Sequence, residues 1–305
     1  MIRRGRRSNL CGRTCRNPLL DSRKTWKYPS HKLDMTSFAF NFLASSDETG
    51  KEKGTEITTV SNTLSGIIAP ETSSFDTLSF APVDTGVFGS LSHISNPDSG
   101  LQEQVEQLQS DLIPKMYEGG FKIWEGSLDL MRFLPSVIAE NLLSNKSILE
   151  LGCGHGLPGI SAMIHGNASH LTLQDYNREV IDCVSIPNAW KNLGATDHCT
   201  FLYGDWDALR LQGNLLNQGY DIVLAAETVY SVETTNAFLR TLEHCVKVGG
   251  LAIVSGKQYY FGVGGGMNDV VEYMRLHNAR WKVGKVQQIV DGQSNVRSVC
   301  TFQRC

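Results

Sequence analysis

The sequence is short of the features that would assign it to a class outright. Its eight cysteines contain no C-x-x-C pair. Cys11 and Cys15 have no companion cluster of His and Cys, so the common zinc spacings are excluded and no metal is expected. Cys153, Cys183, Cys245 and Cys300 fall within or beside predicted core elements. They read as reduced thiols packed as small hydrophobes rather than as a disulfide framework, which favours a reducing compartment. No apolar run approaches the roughly 18–20 residues that span a bilayer, so no membrane partner is expected. There is no internal repeat, no nucleic-acid-binding motif, and no Lys-Ser/Thr pair after a glycine run, which excludes a P-loop.

Acid is absent from the first 20 residues, and basic residues are scarce from residue 35 to residue 116. Residues 1–34 carry ten Lys/Arg against two Asp/Glu, residues 35–116 three against eleven, and residues 117–305 fifteen against eighteen. A near-neutral globular part is thus preceded by two oppositely charged flanks. The basic stretch fits either a disordered arm or an organellar transit peptide. The acidic stretch is rich in Ser, Thr and Gly and has no sustained apolar periodicity, so it reads as mostly disordered. A short helix over 101–112 is the one element expected there, on the stripe Leu101, Val105, Leu108 and Leu112.

From Tyr117 onward, strand-like and helix-like runs alternate. Strands are predicted at 147–151, 170–174, 199–203, 220–225, 249–255, 281–290 and 296–303. Helices are predicted near 126–143, 157–165, 177–192, 233–247 and 267–277. Such alternation implies an α/β fold, with a mostly parallel, Rossmann-like sheet covered by helices on both faces. The last two strands flank Asp291-Gly292, a turn signal, so the sheet should end in an antiparallel hairpin.

Glu150-Leu-Gly-Cys-Gly-His-Gly156 follows the first of these strands and precedes a helix. Glycines there let a nucleoside ligand approach the backbone, and the following helix start should aim unpaired N–H groups at it. The stretch holds two overlapping frames. Gly152, Gly154 and Gly156 give E-L-G-x-G-x-G, and Gly154, Gly156 and Gly159 give the dinucleotide fingerprint G-x-G-x-x-G. Asp175 ends the next strand, where a carboxylate receives a ribose diol or, alternatively, caps the helix starting near Asn177. Gly204-Asp205-Trp206 ends the third strand, where Asp205 could accept from an exocyclic amine and Trp206 could stack or pack. Ala226 and Glu227 end the fourth. Glu227 and Tyr230 are spaced to share one face of an incipient helical turn and to orient a nucleophile, or else to cap and pack. His155 inside the glycine turn reads as facing away from the ligand rather than as a base.

Two further segments stand out. Tyr117-Glu-Gly-Gly-Phe-Lys-Ile-Trp-Glu125 could be a lid or a structural hairpin. Tyr259-Tyr-Phe-Gly-Val-Gly-Gly-Gly266 reads as a mobile loop at the cleft rim.

Together these motifs resemble the seven-strand S-adenosylmethionine-dependent methyltransferases, in the group with an acidic-x-x-Tyr motif, here Glu227-Thr-Val-Tyr230. More narrowly, the chain resembles the histidine protein methyltransferases that modify a large-subunit ribosomal protein, L-three. The segments at 117–125 and 260–266 are the specific ones, and the resemblance covers 117–305. Met35-Thr-Ser-Phe-Ala-Phe-Asn-Phe42 resembles that family's own N-terminus, so residues 1–34 read as an upstream addition.

The resemblance implies S-adenosylmethionine as cofactor, a ribosomal protein as partner, a monomer, and the cytoplasm and nucleus as location. It places Gly152, Gly154 and Gly156 at the methionine end, Asp175 at the ribose and Asp205-Trp206 at the adenine. Trp124 closes over the cofactor, and Ala226 and Glu227 form the floor. Cys153, Tyr176, Asn177 and Gly204 adjoin these positions and complete the cofactor set. Glu227 is the expected catalytic group, with Tyr230 and Asn177 as supports. The alternatives are a lysine or small-molecule methyltransferase of the same fold, a cofactor-binding scaffold without activity, and a nucleotide-dependent oxidoreductase.

Overall fold

The computed structural model describes residues 112–305 apart from 114, 293 and 294, and before them residues 65–68, 75–86, 89–95, 97, 100, 102 and 103. The chain divides into two compact units, Met1–Lys51 and Glu52–Cys305, and all described residues belong to the second. The readings of residues 1–34 and of 35–42 therefore fall outside the described residues, as does most of the helix expected over 101–112.

One eight-stranded sheet organises the unit. Its strands are β1 (Gly66–Ile68), β4 (Ser147–Leu151), β5 (His170–Asp175), β6 (Cys199–Tyr203), β7 (Tyr220–Ala226), β8 (Val246–Lys257), β9 (Trp281–Ile289) and β10 (Arg297–Arg304). They lie in the order β1-β6-β5-β4-β7-β8-β10-β9. β6, β5, β4, β7 and β8 are parallel neighbours, and β10 runs antiparallel between β8 and β9. Ile148, Leu149, Leu151, Val223, Leu224 and Ala225 have no exposed surface, as continuous apolar strands buried on both faces require.

The predicted strand count of seven is one too few. β1 adds antiparallel to the edge strand β6, with Gly66 opposite Tyr203. A separate hairpin pairs β2 (Phe80–Asp84) with β3 (Ser90–Ile94). Its backbone is tied to a helix by Asn188 and Asn192, whose side-chain oxygens accept from Ile94 and Ser92. The reading of 35–116 as lacking regular structure misses these three strands. They are short, and side-chain amides far along the chain hold the hairpin.

The helices are α1 (Glu125–Ile138), α2 (Leu157–Gly166), α3 (Arg178–Val180), α4 (Ile186–Leu193), α5 (Trp206–Leu211), α6 (Val232–Cys245) and α7 (Met267–Leu276). The single helix expected over 177–192 is interrupted by a wider π-type stretch, Ile181–Ser185. Pro187 lies just beyond it and lacks the N–H that would bond back into that turn. α6 begins in a reciprocal Ser231/Thr234 capping box. α1 is clipped to the sheet by a buried ion pair in which Arg297 Nε donates to Asp129 Oδ2 at 2.5 Å. Such a pair fixes position more than it adds net stability.

Candidate functional site

The carboxyl ends of β4, β5, β6 and β7 meet along one rim, the place where open parallel sheets present ligands. At β4 the glycine turn has Gly152, Gly154 and Gly156 at φ 59°, 50° and 68°. Only glycine takes this left-handed conformation without strain, and the surroundings add a second constraint. A Cβ on Gly152 would lie 2.7 Å from the Thr228 methyl, and one on Gly154 would lie 3.1 Å from the Gly120 carbonyl oxygen.

At the helix start expected to aim unpaired amides at a ligand, the Gly159 N–H is already taken, and so are the amides of the glycines before it. Gly152 and Cys153 N–H donate to the side chain and backbone of Gln174, Gly154 N–H to Asp175 Oδ2 at 2.9 Å, Gly156 N–H to the Cys153 carbonyl and Gly159 N–H to Glu150 Oε2 at 2.7 Å. What the turn offers a ligand is close approach to Cα atoms. Cys153 itself is buried, its thiol 3.4 Å from Ser185 Oγ, and burial pushes the thiol pKa up.

Gly159 packs, as the first glycine frame requires: a Cβ there would meet Glu150 Oε2 and Leu171. Burial raises the Glu150 carboxyl to about 8. The folded value thus lies above the ordinary one, so the folded state loses stability as pH rises from about 4.5 to about 8. Glu150→Gln keeps an acceptor for Gly159 and removes the ionisation. Melting temperatures across this range should fall less steeply for the variant than for the parent, since Asp175 still titrates in both; parallel curves would refute the assignment.

Asp175, nearly buried, accepts from the N–H of Gly154 through Oδ2 and from that of Asn177 through Oδ1. Burial raises its carboxyl to about 6. Tyr176 donates its hydroxyl to the Lys115 carbonyl at 3.2 Å. Asn177 is not a support for Glu227. Its amide nitrogen donates to the Met116 carbonyl and its oxygen accepts from Glu118 N–H, so it positions the preceding strap.

The side chain of Gln174, in β5, joins the segments that follow β4 and β6. Its amide donates to the Gly204 carbonyl, and its oxygen accepts from Gly152 N–H and from the Trp206 indole at 2.6 Å. Asp205 caps α5 through Oδ1, accepting from Asp207 and Ala208. Trp206 packs rather than stacks in the open: its indole N–H is held by Gln174 and its ring lies 5.9 Å from that of Phe238.

Residues 115–126 cross these strand ends as an anchored strap. The Trp124 indole donates to the Gly119 carbonyl at 2.9 Å. Asn177 holds Met116 and Glu118, and the Tyr230 hydroxyl donates to Glu118. His155 joins the turn to the strap at the Phe121 carbonyl, 2.9 Å away, and receives Asn188 on its other ring nitrogen. Burial lowers its pKa to about 4, so the ring is neutral near pH 7, and both its nitrogens are engaged by Phe121 and Asn188.

The fourth strand end carries the most informative side chain. Glu227, just past Ala226, has φ 57° with no glycine to ease it. Strain of this kind clusters at functional sites. Its expected partner Tyr230 goes to Glu118, and Tyr260 donates its hydroxyl to Glu227 Oε2 instead. Oε1 is out of solvent and has no hydrogen-bond partner among the described residues. The missing side chain of Gly126 leaves room beside it, since a Cβ there would come within 2.7 Å. Thr228 Oγ1 and Ser255 Oγ are likewise buried without partners. Burial raises the Glu227 pKa and the charge of Glu125 raises it further, while Tyr260, Lys257 and Arg297 oppose the rise.

Three buried polar atoms left over where β7 ends beside β8, next to glycines that a Cβ would block, fit a polar ligand that the chain itself does not supply. Tyr260, Glu118 and Gln174 hold the site's side chains and loops, and sequence reasoning gave none of them a role. The first two sat in segments already singled out, and a lone amide inside an apolar strand was the available signal for the third.

The loop after β8 is more ordered than its glycines suggest. Gly265 lies against the backbone of 229–231, where a Cβ would come within 2.7 Å of the Val229 and Ser231 carbonyl oxygens. Tyr260 N–H donates to the Gly265 carbonyl, and Gly264 N–H returns to Tyr260.

A family model described as lysine methyltransferase matches residues 111–260. A histidine protein methyltransferase homolog of Dictyostelium discoideum is 40% identical over 191 residues, covering 63% of this chain and 60% of that protein. A protein N-lysine methyltransferase of Danio rerio is 30% identical over 172 residues, covering 55% of this chain and 74% of that protein. A candidate SAM-dependent methyltransferase structure from Streptococcus mutans superposes with TM-score 0.50 at 14% identity, covering 74% of this chain and 55% of that one. The chain thus spans about three-fifths of the length of the Dictyostelium relative.

Proposed function

The chain belongs to the protein methyltransferase family that includes the histidine protein methyltransferases, and from that premise we propose that it methylates an imidazole nitrogen of a histidine in a protein. S-adenosylmethionine is the cofactor, and when bound it supplies an already activated sulfonium methyl group. Gly152, Gly154 and Gly156 admit its methionine end against the backbone. Asp175 would accept from the ribose, and Trp124, Asp205 and Trp206 would border the rest.

One observation carries the choice of target: Glu227 Oε1 is a buried acceptor without a partner among the described residues. Histidine has an ordinary pKa of about 6.5, so near neutrality one ring nitrogen keeps a lone pair and the other an N–H. Glu227 accepts that N–H, selects the tautomer, and holds the lone pair of the opposite nitrogen in line with the methyl group. Its negative charge also stabilises the imidazolium that develops as the N–C bond forms and the C–S bond breaks. The imidazolium then loses its remaining N–H proton towards Glu227 and solvent. A lysine, ordinarily protonated up to about pH 10.4, has no lone pair, and a carboxylate beside it favours that protonated form. The strap, held by the Trp124 and Asn177 contacts, excludes water from the exchange.

The resemblance at 117–125 and 260–266 adds the finer reading. The target protein is ribosomal protein L-three, and the enzyme acts as a monomer in cytoplasm and nucleus. The lysine-directed description of the family model favours a second reading, a protein-lysine methyltransferase. Labelled methyl transfer into extract from cells lacking the protein, with mass spectrometry of the labelled band, separates them. Methylhistidine at one site is the expected result, and methyllysine would promote the second reading.

A further inference from the structure

Beside Glu227 lies an apolar surface that the cofactor site does not use. Val232, Tyr259, Phe261 and Val263 are 40%, 47%, 64% and 39% exposed. The Tyr259 and Phe261 rings meet edge to face with centroids 5.3 Å apart. Val232 closes the patch from the start of α6, where a Cβ on Gly264 would lie 3.1 Å from its methyl. Large apolar side chains gathered on one exposed loop mark a contact site. The patch is also preformed, because Gly264 and Gly265 fix the loop against 229–231. Between the two exposed rings, Tyr260 turns inward and donates to Glu227.

We propose that Val232, Tyr259, Phe261 and Val263 form the docking platform for the stretch of protein substrate flanking its methyl-accepting residue. The inference rests on the reading of Glu227 as the seat of that residue. A substrate side chain that reaches Oε1 brings its own backbone over the rim. An extended chain advances about 3.3 Å per residue, so residues within two or three positions of the target pass over the side chains adjoining Tyr260. The occupant is an extended segment with an apolar side chain next to the target. It is received by rings that give large contact area while losing little rotamer freedom. Tyr260 then ties this surface to the carboxylate, so a docked segment bears directly on the group that orients the target.

The test is the Tyr259→Ala/Phe261→Ala double variant of the full chain. The substrate is the protein labelled by the parent enzyme in extract from cells lacking it, identified by mass spectrometry and purified. Truncating two central aromatic anchors should raise KM for that protein at least about tenfold. kcat at saturation and the affinity for S-adenosylhomocysteine should stay at parental values. A Phe261→Glu variant should move KM in the same direction. An unchanged KM, or a fall in kcat with KM unchanged, overturns the platform and leaves the proposed function standing. A concentration-dependent dimer of the parent that the double variant abolishes also overturns it, since the occupant would then be a second copy of the chain. Failure of the parent to label any protein removes the function and the platform together.

Discussion

Glu227→Gln should lower kcat by about 10²–10³, a loss typical of removing one preorganised electrostatic contact, while leaving the affinity for S-adenosylhomocysteine unchanged. Gln is nearly isosteric, yet it fails for a specific reason. Tyr260 donates to one carboxylate oxygen, so an amide would keep its own oxygen there and turn its NH2 towards the position of Oε1. Two donors would then face each other where the target ring presents its N–H. The substitution also removes the negative charge that balances the imidazolium. The pH profile should report the same group. Burial, helped by Glu125, raises the Glu227 pKa, and Tyr260, Lys257 and Arg297 lower it again. Activity therefore rises with pH as the carboxylate ionises and the target loses its proton. Tyr260→Phe removes a donor to the ionised form, so the enzyme's acidic limb should move to higher pH. Full turnover by Glu227→Gln in single-turnover assays would sink this assignment.

Asp175→Ala should raise the Kd for S-adenosylhomocysteine at least about a hundredfold. Hydrogen bonds to a charged acceptor contribute about 1.5–3 kcal/mol each, and about 2.7 kcal/mol corresponds to that factor. The loss has two sources. The ribose acceptors disappear, and the N–H groups of Gly154 and Asn177 lose their partner, so the turn itself loosens. In the parent, binding should weaken as pH falls through about 6, where the raised carboxyl of Asp175 takes up a proton. Calorimetry across that range is the check. Saturating ligand should also raise the melting temperature of the parent and not of the variant. Parental affinity in the alanine variant would remove Asp175 from the site.

The parallel core was legible because its strands are apolar runs separated by helix-length segments with glycine at the turns, so periodicity and punctuation agree. β1, β2 and β3 were not, since Gly66–Ile68 and the 80–94 hairpin carry no periodic signal and are held by distant partners such as Asn188 and Asn192. The positions of the site residues followed from strand ends, whereas their partners did not. Spacing joined Glu227 to Tyr230, but the left-handed backbone at Glu227 breaks the helical turn on which that spacing depended. The carboxylate meets Tyr260 across the sheet, and Tyr230 meets Glu118 of the strap. Pairings made across tertiary contacts leave no trace in local spacing, and they divided one expected acid–phenol pair into two.

The internally bonded glycine turn also bears on which nucleotides this rim can hold. A dinucleotide site captures its pyrophosphate with free amides at a glycine turn and helix start. Here the amides of Gly154, Gly156 and Gly159, the glycines of the competing fingerprint, are already bonded to Asp175, Cys153 and Glu150. A bridging phosphate brought there would meet two carboxyl groups and no donor from these glycines. The overlapping fingerprint is thus present in the letters, while the three glycine amides it would use are already bonded; NAD is expected to bind far more weakly than S-adenosylhomocysteine, which calorimetry with both ligands checks.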